Sequence, residues 1–118
     1  MKKAVGYIRK GTKKDVVRQE EAIRAYCEKN DMEIIEWKTC ERFDEVAYGN
    51  WMGRRKIDAV VAASNADVTD NVFEFYAFRC KLQMRNSNLV IAKYEGYKWY
   101  ELYRKFFEEF TGVLVRKL

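Results

Sequence analysis

Histidine and proline are absent from the 118 residues, glycine occurs six times, and cysteine is limited to Cys27, Cys40 and Cys80. Without imidazole there is no histidine general base, no Ser-His or Cys-His nucleophile pair and no histidine-ligated metal. The cysteines are odd in number, widely separated and unaccompanied by histidine, so they form neither a paired disulfide framework nor a zinc site and are expected as buried thiols. Long apolar runs are missing as well. No stretch approaches the roughly 20 apolar residues that span a bilayer, and the start, Met1-Lys2-Lys3-Ala4-Val5, turns polar at Arg9 before a signal-peptide core can form. A soluble, cytoplasmic protein with no membrane contact, no metal and no cofactor is the expectation.

What is present suits one domain covering residues 1–118. Hydrophobic residues at 48% and charged residues at 35% can fill a core and still cover it with a solvated surface. The net charge of +5 is unevenly spread. Lys2, Lys3, Arg9, Lys10, Lys13, Lys14 and Arg18 stand against Asp15 alone in the first eighteen residues, whereas the rest of the chain is close to neutral. An anion-attracting surface is therefore expected around the opening segment, with lysines that merely solubilise an edge and a helix start as the alternative.

Ala4 to Ile8 is a short apolar run between charges and reads as a buried strand. Asp15 to Lys29 carries Val16, Ala22, Ile23, Tyr26 and Cys27 at helical spacing and reads as a helix ended by Asn30-Asp31. Glu33 to Trp37 predicts a second strand and Ile57 to Ala63 a third, with one short helix in the poorly patterned stretch from Cys40 to Arg55. Ser64 to Asp67 reads as a turn and Thr69-Asp70 as the start of a helix running to Met84. Its expected buried stripe is Val68, Val72, Tyr76, Cys80 and Met84, widened by Phe73, Phe75, Phe78 and Leu82. Leu89 to Ala92 predicts a fourth strand. From Tyr97 onward a helical pattern returns, with Trp99, Tyr103, Phe106 and Phe110 on one face, as core packing or as an interface between chains. Strands alternating with helices imply an α/β fold of three layers, a mostly parallel sheet of four to five strands with helices on both faces.

Ligands of such sheets bind beyond the carboxyl ends of the strands, which directs attention to residues 9–14 and 64–70. Neither a GxGxxG nor a P-loop motif occurs there, so a nucleotide site is not expected. Tyr7-Ile8-Arg9-Lys10-Gly11-Thr12 is instead similar to the Tyr-x-Arg-Val-Ser-Thr motif that opens the N-terminal catalytic domain of the serine recombinases, the resolvases and invertases. The likeness continues through the Gln19-containing helix, through Ile57 to Val61, and through Leu89 to Glu95, so that it covers most of residues 1–95. Arg42, in Glu41-Arg42-Phe43, is similar to that family's Glu-Arg-Pro.

The resemblance implies a resolvase-like fold, and its departures fall on the chemistry. In that family the motif serine attacks a DNA phosphodiester while arginines neutralise the phosphate. Here Gly11 stands at the serine position, and Ala66-Asp67-Val68-Thr69-Asp70 aligns with Asp-Arg-Leu-Ser-Arg, so both arginines become aspartates. Tyr7, Arg9, Gly11, Thr12, Gln19, Asp67 and Asp70 thus form a degenerate site. Arg9 is open to two readings, an ion pair at the strand end or retained anion binding. Asp67 and Asp70 are read as helix-capping residues before metal ligands, and Gln19 as a surface or a site residue. Thr12 is a poor substitute nucleophile, because neighbours in an extended segment face opposite ways.

Family members that act on DNA append a DNA-binding domain, and none is expected with the sequence ending at Leu118. The resemblance therefore implies a catalytically inactive relative, borne by a phage or mobile element, that self-associates or regulates recombination through a recombinase-family partner. The alternative is a non-cleaving accessory that contacts DNA phosphates non-specifically through Arg9, Lys10, Lys13, Lys14 and Arg18. An active recombinase is the third reading.

Overall fold

The computed structural model describes residues 1–95. In chain order the elements are β1 (Lys2–Arg9), α1 (Lys13–Lys29), β2 (Met32–Cys40), α2 (Asp44–Tyr48), β3 (Ala59–Ser64), α3 (Asn65–Val68), α4 (Val72–Met84) and β4 (Asn88–Lys93). The strands form one four-stranded sheet in the order β2-β1-β3-β4, every pairing parallel. The expected α/β architecture is therefore present, with four strands.

Strand position follows from composition. A strand in the middle of a parallel sheet has helices over both faces and no solvent side for a polar group, so it reads as an unbroken apolar run. Ala4 to Ile8 in β1 and all of β3 are buried accordingly. At the edge, β2 alternates between half-buried and exposed positions, and a register shift opposite Ala4 and Val5 leaves Ile35 partly in solvent. Left-handed turns at Asp31 and Asn86, residue types that tolerate positive φ, redirect the chain after α1 and α4.

Two cores flank the sheet. On one face, Ile23 and Cys27 of α1 pack on Ala4, Ile8, Ala59, Val61 and Ala63. On the other, Phe43, Val46 and Ala47 around α2 and Phe75, Phe78 and Leu82 of α4 cover Val5, Tyr7, Val60 and Ala62. Aromatic rings knit this second core: Tyr7 meets Phe43 edge-on at 4.8 Å, and Phe43 meets Phe78 at 5.2 Å. Burying each such side chain contributes about 1.5–3 kcal/mol.

Three expectations are corrected. The helix after β3 does not start at Thr69-Asp70: the four-residue α3 ends at Val68, and α4 begins after Asn71, whose Oδ1 accepts from the N–H groups of Phe73 and Glu74 at 2.9 and 3.2 Å. That new cap resets the phase of α4. Its buried line is Phe75, Phe78 and Leu82, while Phe73, Tyr76, Cys80 and Met84 face solvent. The cysteines do not share one environment either, since Cys27 is buried, Cys40 half-buried and Cys80 exposed. No helix of the described residues is long and apolar enough to cross a membrane. The helix read from Tyr97 onward, with Trp99, Tyr103, Phe106 and Phe110, lies outside the described residues.

Candidate functional site

Because all strands run the same way, the ends of β1, β2 and β3 emerge on one rim of the sheet, with Arg9 in register with Cys40 and Tyr7 with Ala62. The turn into α1 and the segment through α3 start from that rim. The two sequence regions singled out by topology, 9–14 and 64–70, are thereby brought together.

Gln19 organises the junction. It is fully buried, and its side-chain amide clasps the main chain of Arg9: the Arg9 N–H donates to Oε1 at 2.8 Å, and Nε2 donates to the Arg9 carbonyl at 2.9 Å. Pairing of β1 with β3 has ended at Tyr7, so Gln19 supplies the hydrogen bonds that a further strand residue would have made. The same Nε2 donates to Oδ2 of Asp15 at 3.1 Å.

From Asp15 the network runs outward. Thr12 caps α1, its Oγ1 accepting from the Asp15 N–H at 3.2 Å, and Arg18 donates to Asp15 Oδ1 through Nε at 3.2 Å and Nη2 at 2.8 Å. Arg18 Nη2 also donates to Asp67 Oδ1 at 2.9 Å. Arg9 Nη2 stands 3.9 Å from that same oxygen. The other Asp67 oxygen accepts from the Ser64 hydroxyl at 2.8 Å, and Ser64 Oγ in turn accepts from the Asp67 N–H at 3.3 Å. Only 3% of the Asp67 side chain is exposed. Burying a carboxylate this far is costly unless it is paired and hydrogen-bonded, and here both conditions hold.

The cluster balances two carboxylates against two guanidiniums. The hydrogen bond from Arg18 holds the Asp15 carboxyl below its usual range, and hydrogen bonds to Asp15 and then Asp67 hold the Arg18 guanidinium above its own. Beneath it, the Tyr7 hydroxyl is buried with no hydrogen-bond partner among the described residues, and burial pushes its pKa further up from the ordinary tyrosine value. Cys40 is pushed up to about 11, first by burial and then by its hydrogen bond to Glu45. Neither is ionised at neutral pH, so neither is an activated nucleophile.

Of the residues read from sequence, Tyr7, Arg9, Gly11, Thr12, Gln19 and Asp67 gather at this rim. A Cβ on Gly11 would stand 2.8 Å from Asp15 Oδ2. Asp67 lies in the first turn of α3 and serves as an ion-pair partner more than as a cap. Asp70 is exposed in the break between α3 and α4, where Asn71 does the capping. Arg42 is apart, exposed and paired with Asp44 at 3.4 Å. Lys10, Lys13 and Lys14 are exposed around the start of α1, outside the ion pairs of the cluster. Asp15 and Ser64 were not singled out from sequence. Their signal was the spacing Thr12-x-x-Asp15 and Ser64-x-x-Asp67, a hydroxyl followed by a carboxylate three residues on, which marks a helix start. Among the described residues no group of three or more Cys, Asp or Glu is placed to hold a metal ion.

No protein-family model matches this chain, and no curated protein matches it. Among solved structures it is similar to the crystal structure of the C-terminal catalytic domain of ISC1926 TnpA, an IS607-like serine recombinase, with a TM-score of 0.60 and 14% sequence identity, covering 95% of this chain and 84% of that one. At that identity the likeness establishes the fold, which is serine recombinase-like.

Proposed function

We propose that this chain is a catalytically inactive serine-recombinase-like domain that works by association, with its own copies or with a recombinase-family partner, and so regulates DNA recombination or another process of a phage or mobile element. The reading is supported by the serine recombinase-like fold together with one observation at the rim. Residue 11 carries no side-chain hydroxyl, and the space a side chain would take there is crowded by the Asp15 carboxylate. Glycine cannot form a phosphoester, and a fixed anion beside the attack point opposes an incoming phosphate. Thr12 is committed to capping α1. The test is to incubate the full chain and its Thr12→Ala variant with supercoiled DNA, denature, and look for protein covalently joined to DNA. No adduct is expected from either, and an adduct at any residue overturns the proposal. Light scattering during size exclusion, alone and with a serine recombinase catalytic domain, reads the association.

A second reading, a non-cleaving DNA-binding accessory, is favoured by a different observation. Lys10, Lys13 and Lys14 are exposed and pair with no carboxylate among the described residues, whereas Arg9 and Arg18 face Asp67. Three phosphate contacts predict a salt dependence of duplex binding with a log–log slope of about −3. Absent or salt-independent binding removes this reading.

A further inference from the structure

Arg9 and Arg18 converge on one point, the Oδ1 atom of Asp67, at 3.9 and 2.9 Å, and Arg18 also reaches Asp15 Oδ1 through Nε and Nη2. Two guanidiniums aimed at a single oxygen make the kind of fork that binds a free phosphate or carboxylate. The oxygen at its focus belongs to the protein. We infer that the Arg9–Arg18 pair is an anion site whose ligand is supplied by the chain itself, with Asp67 and Asp15 as the specificity-determining residues that shut external phosphate out.

The geometry supports this in three ways. Asp67 is held from behind: its second oxygen accepts from the Ser64 hydroxyl, and its main-chain N–H is capped by the same group, so the carboxylate is fixed in place. Asp15 is likewise braced by Gln19 and stands at the first turn of α1, where an anion is favoured by the unpaired N–H groups. The site is also open on its arginine side, the Arg9 and Arg18 side chains being 46% and 50% exposed. Solvent thus reaches the outer sides of both guanidiniums, where the charge of the paired carboxylates rather than a lack of space keeps phosphate away. The cluster is neutral as a whole, and phosphate has no net attraction to it.

Neutralising the resident carboxylates without changing their shape should open the site. Asparagine at position 67 keeps an acceptor for Arg18 and gains a donor for the Ser64 oxygen. Binding of inorganic phosphate to the full chain is to be measured by phosphorus NMR titration and by isothermal calorimetry, for the parent, Asp15→Asn, Asp67→Asn and the double variant, each checked by circular dichroism. The expected affinity gain is about tenfold per carboxylate removed, a screened charge effect at a half-exposed site. Adding Arg18→Gln to the double variant should abolish the gain. A folded double variant that binds phosphate no better than the parent overturns the inference, and so does a gain that survives Arg18→Gln, since it would come from the neighbouring lysines. If the double variant does not fold, Asp15→Asn alone, on the more exposed side, carries the same test with a smaller gain. The inference rests on the reading of this rim as non-cleaving. Phosphate uptake and covalent DNA adducts are separate measurements, so either can fail while the other stands.

Discussion

Gly6 of β1 and Trp37 of β2 are register partners, and the indole carbons Cε3 and Cζ3 lie where a methyl group on residue 6 would have to go. The ring cannot retreat freely, because the Arg24 guanidinium stacks over it at 5.0 Å. Gly6→Ala is therefore expected to destabilise the fold by about 1–3 kcal/mol through overpacking, read as a lower urea midpoint with an unchanged slope. Asp15 gives a residue-scale prediction with a sign set by pH. Its folded carboxyl titrates below the ordinary value of 3.8, so its contribution to stability is fully present above that value and is lost as pH falls through the folded one. Asp15→Asn should lower the melting temperature at pH 7 and narrow its deficit against the parent as the medium is acidified below about pH 3.8. A deficit that is the same at both ends of the range would show that the charge of Asp15 does not contribute.

At the scale of elements, α4 explains why part of the fold was hard to read. Phe73, Phe75, Tyr76, Ala77, Phe78, Cys80, Leu82 and Met84 put apolar groups on every side of the helix, so periodicity alone cannot choose the buried face. The choice is made by the Asn71 cap and by the approach of Phe43 from α2, neither of which leaves a mark in the spacing of apolar residues. Strands were legible for the opposite reason. The two interior ones are unbroken apolar runs of a length only strands have, and they appear within two residues of where the pattern put them. The stretch from Cys40 to Arg55 holds the expected short helix, held by contacts that are far apart in sequence, such as Arg85 donating to the Gly49 carbonyl at 2.7 Å. Truncation distinguishes the faces of α4: Leu82→Ala is expected to cost about 2–5 kcal/mol in denaturant unfolding, and Met84→Ala, 77% exposed, within about 0.5 kcal/mol of the parent. Equal losses at the two positions would place the buried face where the sequence pattern alone had put it.

On the scale of the whole molecule, the strand order sets what the charge can do. The rim cluster was legible as two loops that topology should join, and Arg9, Gln19 and Asp67 met as those loops closed. The role of Asp15 was not, because an acidic residue in a first helical turn is already accounted for by capping. The basic opening segment read as one surface, yet β1 carries its lysines to opposite ends. Lys3 and Lys10 are separated by the length of the strand, about 23 Å at roughly 3.3 Å per residue. That is more than two Debye lengths at physiological ionic strength, where screening sets in at about 8 Å. Lys2 and Lys3 therefore lie outside the electrostatic reach of any phosphate held at the start of α1. If duplex DNA binds, Lys10→Ala with Lys13→Ala and Lys14→Ala should remove most of the affinity and most of the salt slope. Lys2→Ala with Lys3→Ala should leave both within about twofold, as the screening length requires. Fluorescence anisotropy across a salt series decides between them. A larger loss from the Lys2 and Lys3 pair would put the DNA at the amino ends of the strands, away from the rim where Arg9, Arg18 and Asp67 converge.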